Sequence, residues 1–189
     1  MTMSASQLAE LREVLRRFEE RLPSVEAAGR AMAECLKVGG KLLTCGNGGS
    51  ATDAMHLAEE LTGRYKEDRR ALAAICLNAD PSALTCIGND FGFGALFSRQ
   101  VEALGHPGDI LVGFSTSGGS ENVLRAFDTA AERGLRTVLV GGKDGGKAAG
   151  RCDFEVIVPS DSTARIQETH TFVLHQWLEM IEAEVVGNA

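Results

Sequence analysis

The chain has 189 residues, 44% hydrophobic and 24% charged, the proportions of one soluble globular domain with a single large core. A net charge of −7 with no dense Lys/Arg run argues against nucleic acid as the main ligand. No apolar stretch reaches the roughly 20 residues a membrane helix needs.

In chain order, Leu8, Leu11, Leu15 and Phe18 recur at three- and four-residue spacing and predict a first helix. Its charged start carries no secretory-signal pattern. Pro23 breaks the pattern, a second helix is expected over 24–37, and Gly39-Gly40 stops it. Apolar runs at 41–45, 71–77, 110–114, 137–140 and 154–158 then predict strands. Helical segments are expected between them at 50–61, around 93–104 and at 120–133, with a last helix over 163–185. This alternation implies a doubly wound α/β fold, a parallel sheet with helices on both faces and an N-terminal helical extension. Its ligands would bind at the carboxyl ends of the strands. Cys35, Cys45, Cys76, Cys86 and Cys152 show no CxxC pairing and fit reduced core thiols of a cytoplasmic protein.

Two strand-to-helix loops look built for an oxyanion. In Cys45-Gly46-Asn47-Gly48-Gly49-Ser50 the glycines let backbone N–H groups approach an anion, and Ser50 with Asp53 resembles a capping box. The same residues satisfy a dinucleotide fingerprint, but the acid that motif expects near the end of the next strand is displaced to Asp80. The second loop, Ser115-Thr116-Ser117-Gly118-Gly119-Ser120, carries more hydroxyls than a helix cap requires. The pair of loops suits a phosphate monoester on a polyol better than a pyrophosphate.

His56 and Glu60 are one turn apart on the helix after the first loop, able to share a metal or act as an acid–base pair, or simply to form a local ion pair. The last helix carries Gln167, His170 and His175; its spacing does not choose between the two histidines, and Glu168, Glu179 and Glu182 read as solvated charges.

The ordered blocks Gly46–Ser50, 53–64 (DAMHLAEELTGR), 88–92 (GNDFG), 115–118 (STSG), 142–146 (GKDGG) and 165–168 (RIQE) resemble the phosphoheptose isomerases of the sugar-isomerase (SIS) family. That resemblance implies a flavodoxin-like, five-stranded parallel sheet and a homotetramer with D-sedoheptulose 7-phosphate as substrate. It implies phosphate contacts from Ser50, Ser115, Thr116, Ser117 and Ser120, and sugar contacts from Asn47, Gly48, Gly49, Asn89 and Asp90. Glu60 and His175 would be the acid–base pair, which selects His175 over His170. In metal-bound members one zinc would be held by His56, Glu60, Gln167 and His175. Some members carry His and Cys where this chain has Ala51 and Thr52.

Gln167 and His175 lie about 12 Å apart along one helix, so serving one metal requires either ligands drawn from different subunits, with sites at subunit interfaces, or a helix irregular near Gln167. The competing readings are the DnaA initiator-associating protein, which keeps the fold without the acid and the final histidine, and a sugar-phosphate sensor that needs no base.

Overall fold

A computed structural model describes residues 2–186. Five parallel strands lie in the order β2-β1-β3-β4-β5. They are β1 (Leu42–Gly46), β2 (Ala74–Cys76), β3 (Ile110–Ser115), β4 (Arg136–Gly142) and β5 (Phe154–Val158). The helices are α1 (Met3–Phe18), α2 (Leu22–Lys37), α3 (Gly49–Thr62), α4 (Pro81–Phe91), α5 (Ser98–Leu104), α6 (Glu121–Glu132) and α7 (Thr163–Val186).

Side chains of a strand alternate between faces, so the sheet feeds two apolar layers. Leu42, Ile110, Val112, Phe114, Val138, Val140, Val156 and Val158 join Phe18, Met32, Leu57, Leu174 and Trp177 from α1, α2, α3 and α7. Leu43, Cys45, Leu111 and Leu139 pack on the other side against Phe97, just before α5, Val101 of α5, and Val123 and Phe127 of α6. Both faces are covered, which is why the strands read as apolar runs instead of alternating ones. Trp177 is fully buried and donates its indole N–H to the Val25 carbonyl at 2.8 Å, locking α7 to α2.

The structure departs from the expected elements at four places. Pro23 occupies the first turn of α2, where its missing N–H costs nothing, and a 3-10 turn at Glu19–Arg21 makes the break. The second strand is only Ala74–Cys76, a short edge strand, because 63–73 is a loop. Helix α4 was not anticipated; its signal was the Asp80-Pro81 pair, in which the Asp80 carboxylate accepts from Ser82 N (2.8 Å) and Ala83 N (3.1 Å) and proline opens the helix. Ser50 does not cap α3. The cap is Gly48, at φ 56° and ψ −123°, a conformation that disfavours a side chain, and Ser50 lies buried inside the first turn.

Candidate active site

In this strand order β1 connects outward to β2 while β3 connects the opposite way to β4, so the sheet leaves a crevice beyond the carboxyl ends of β1 and β3. Both loops sit there. They are fastened together by Asn47 and Asn122, whose side-chain amides exchange two hydrogen bonds of 2.9 Å across the crevice. Asn78 holds the base of the first loop by donating to Gly46 O at 2.9 Å and accepting from Gly46 N at 3.2 Å. Neither Asn78 nor Asn122 was singled out from the sequence; both bond across about 30 and 75 positions, which no local pattern reveals.

The second loop is shaped by its neighbour after β4. Gly118 has φ +59°, and its carbonyl accepts from Ala148 N at 3.0 Å. Ser115, buried, donates to the Ser120 hydroxyl at 3.3 Å, while the Ser117 hydroxyl accepts from Gly119 N at 3.2 Å. Thr116 is half-buried between them. Among the described residues the structure shows no protein acceptor for the backbone N–H groups of Gly48, Thr116, Ser117 and Ser120, so donors from both loops remain open to an anion beside the N-termini of α3 and α6.

From the first loop α3 runs alongside α7. At its near end the Gln167 amide lies over Gly49, where a Cβ would come within 2.3 Å of the side-chain nitrogen. Two turns further on, His56 Nε2 stands 3.4 Å from Glu60 Oε1. The His175 ring meets the His56 ring edge-on at 5.1 Å and is stacked on Tyr65 at 5.8 Å. His56, Glu60 and His175 thus come together within one chain. Burial first, and the neighbouring His56 next, push the His175 imidazole below its usual range, which favours its proton-accepting form.

His170 has a different environment. It is fully buried, its Nε2 is 2.9 Å from the Gly141 carbonyl, and its Nδ1 stands 3.9 Å from Asp53 Oδ2. The first contact fixes Nε2 as donor, leaving Nδ1 as an acceptor in the neutral ring. Burial pushes Asp53 up to about 6 and His170 down to about 4, so between those values the carboxyl is protonated and the imidazole neutral.

Other predicted residues lie elsewhere. Asn89 and Asp90 are exposed on α4; Asn89 donates to Asp90 at 2.7 Å, and neither bonds to the histidine cluster. Glu182 is not solvated. It is 5% exposed and paired with Arg69 at 3.1 Å, a contact invisible in the sequence because the partner lies 113 positions away.

The donor set can be tested against a metal. One ligand atom each from His56, Glu59 and Glu60 falls within 4.8 Å of the others, and the His175 imidazole adjoins His56. That mutually close set is one imidazole and two carboxylates, donors able to hold a divalent cation, and His175 adjoins it through His56. Gln167, engaged at Gly49, is about two helical turns from His175.

Comparison with known proteins places these features. The family described as the SIS domain matches residues 8–142. A phosphoheptose isomerase of Campylobacter jejuni is 54% identical over 158 residues, 84% of this chain and 85% of that protein. The solved phosphoheptose isomerase of Neisseria gonorrhoeae superposes with a TM-score of 0.90 at 44% identity, covering 95% of this chain and 97% of that one. The Francisella tularensis enzyme of the same name gives 0.87 at 35% identity, over 96% and 98%. No helix among the described residues is long and apolar enough to cross a membrane.

Proposed function

The chain belongs to the SIS domain family and, within it, to the phosphoheptose isomerases, and we propose on that footing that it converts D-sedoheptulose 7-phosphate to D-glycero-D-manno-heptose 7-phosphate through an enediol. One observation carries the reading: a carboxylate and an imidazole, Glu60 and His175, both flank His56 down-helix from a two-loop anion cradle. Gly49 and His56 are separated by roughly 10 Å of helix rise, which an extended seven-carbon phosphate can bridge and a phosphotriose cannot.

In this reading Ser50, Ser115, Thr116, Ser117 and Ser120, with the open backbone donors, hold the phosphate. Asn47, Gly48, Gly49 and Gln167 line the path of the polyol. Glu60 takes the proton from the carbon beside the carbonyl, and His175 moves a proton at the neighbouring oxygen. A zinc ion on His56, Glu60 and His175, joined by Gln167 only where a second copy of the chain supplies it, would polarise the carbonyl and stabilise negative charge on the enediolate. A carboxylate held by zinc is a poorer base, so Glu60 acts best when its bond to the metal is loose.

Asn89 and Asp90 enter the proposal through oligomerisation. Helix α4 buries no residue of its own and exposes Phe91, the kind of surface a neighbouring copy covers. A homotetramer with sites at its interfaces would bring these side chains to sugar. We place the enzyme in the cytoplasm as one catalytic domain with a helical extension, feeding heptose to surface glycans such as lipopolysaccharide.

Incubation with sedoheptulose 7-phosphate, with and without a chelator, followed by NMR of the sugar pool tests substrate, reaction and metal together. In heavy water Glu60→Gln should lose exchange of the carbon-bound proton while still binding the phosphate ester. Retained exchange in that variant would show that another group is the base.

A further inference from the structure

We propose that the segment from Gly63 to Arg70 is a strap that positions the catalytic pair, with Tyr65 as its contact on His175 and the buried Arg69–Glu182 ion pair as its anchor. For its role in turnover the inference rests on the isomerase reading; the geometry stands apart from it.

The strap leaves α3 at the turn after Glu60 and crosses to α7. Its anchor is the Arg69 guanidinium against the Glu182 carboxylate at 3.1 Å, with side chains only 3% and 6% exposed. Glu182 also accepts from Lys66 N (3.2 Å) and Glu67 N (3.2 Å), so one carboxylate gathers the backbone of the strap. The same guanidinium donates from Nη2 to the carbonyl of Glu60 at 2.8 Å and from Nη1 to that of Leu61 at 3.0 Å. Those carbonyls lie in the last turn of α3, where no helical N–H remains to meet them. Arg69 therefore grips the backbone of the base residue with one end and α7 with the other.

Between these attachments the strap turns Tyr65 inward. Its ring lies nearly parallel to the His175 imidazole, 25° between planes with centroids 5.8 Å apart, while His56 meets the same imidazole edge-on at 83°. Next to Tyr65 on the strap, Lys66 Nζ meets Glu179 of α7 at 2.6 Å. Glu179 and Glu182 lie one and two turns beyond His175 on α7, so the strap follows the same helix that carries the imidazole. Two helices set the coarse separation of Glu60 and His175; the strap fixes the last degrees of ring orientation. Misplacement by an ångström in such a pair costs on the order of a hundredfold in rate. Tyr65, Arg69 and Glu182 are positioning residues, since they act through Glu60 and His175.

The test compares Tyr65→Phe, Tyr65→Leu and Glu182→Gln with the unmodified protein. The chain has four histidines, so ring carbon–proton NMR correlations can be assigned by single replacements. We expect the His175 ring resonances to carry a ring-current shift from Tyr65 that Tyr65→Phe preserves and Tyr65→Leu abolishes. Glu182→Gln should move them toward the Tyr65→Leu position. With sedoheptulose 7-phosphate, kcat should fall about tenfold or more in Tyr65→Leu and Glu182→Gln with KM within about twofold, and Tyr65→Phe should match the unmodified enzyme. A folded Glu182→Gln with unmoved His175 resonances and unchanged kcat overturns the strap. Should Glu182→Gln fail to fold, Tyr65→Leu decides by the same two readouts, because Tyr65 is only half-buried. An unmodified protein that leaves sedoheptulose 7-phosphate untouched sinks the isomerase reading, and the resonance comparison still decides the strap.

Discussion

Replacing Gly118 by alanine strikes the phosphate cradle where the backbone has no slack. At φ +59° a side chain costs roughly 1–2 kcal/mol by itself. The added Cβ would stand 1.8 Å from the Gly145 carbonyl oxygen and 2.4 Å from its carbon. Both are main-chain atoms, so no rotamer change relieves the clash, and restoring ordinary contact needs a displacement of roughly 1.5 Å between the loops after β3 and β4. The Ala148 N to Gly118 O bond of 3.0 Å would break, a further ~1 kcal/mol. Together these predict a loss of about 2–4 kcal/mol, a fall of roughly 4–16 °C in Tm for a chain this long. Because Ser115 to Ser120 move with the loop, KM for the sugar phosphate should rise at least about tenfold while Glu60 and His175, on other elements, keep their geometry. Thermal denaturation with steady-state kinetics, and protection by inorganic phosphate as a control, make the measurement. A variant with unchanged Tm and KM would refute the close loop–loop contact and the cradle built on it.

Gly49→Ala tests the other loop: its Cβ would meet the Gln167 amide at 2.3 Å, but that is the end of a flexible side chain, so Gln167 should swing away with Tm nearly unchanged and KM raised. Combining it with Gln167→Ala should add nothing, and an additive loss would show that the two do not act together. The Asp53–His170 pair makes a prediction about pH. Between about pH 4 and 6 the fold keeps a proton on Asp53 while the unfolded chain keeps one on the imidazole, so the pair contributes little slope. His170→Gln uncovers the raised Asp53, whose favourable neutral state is lost as pH rises from its unfolded value of 3.8 toward about 6; stability should fall by up to ~1.4 kcal/mol per pH unit there. Asp53→Asn uncovers the lowered His170 instead, so stability should rise as pH climbs from about 4 to the unfolded value of 6.5. Urea midpoints across that range would show opposite slopes, and identical slopes in both variants would refute the assignment of the proton.

Much of this was legible in the chain itself. Five apolar runs alternating with helical segments determined a parallel sheet covered on both faces, because only buried strands can be apolar at every position. The two loops announced an anion site through glycine and hydroxyl content, and His56 with Glu60 followed from helical spacing. Tertiary structure alone decided the rest. It separated a buried His170, bonded to Gly141, from a His175 facing His56 and Tyr65, although both histidines lie on one helix. It turned Glu182 from a presumed solvated charge into the buried partner of Arg69, and Ser50 from a cap into a buried hydroxyl behind Gly48. The physical reason is range: propensity, capping and spacing act within a turn or a strand, whereas burial and ion pairing depend on which distant segments the sheet order brings side by side.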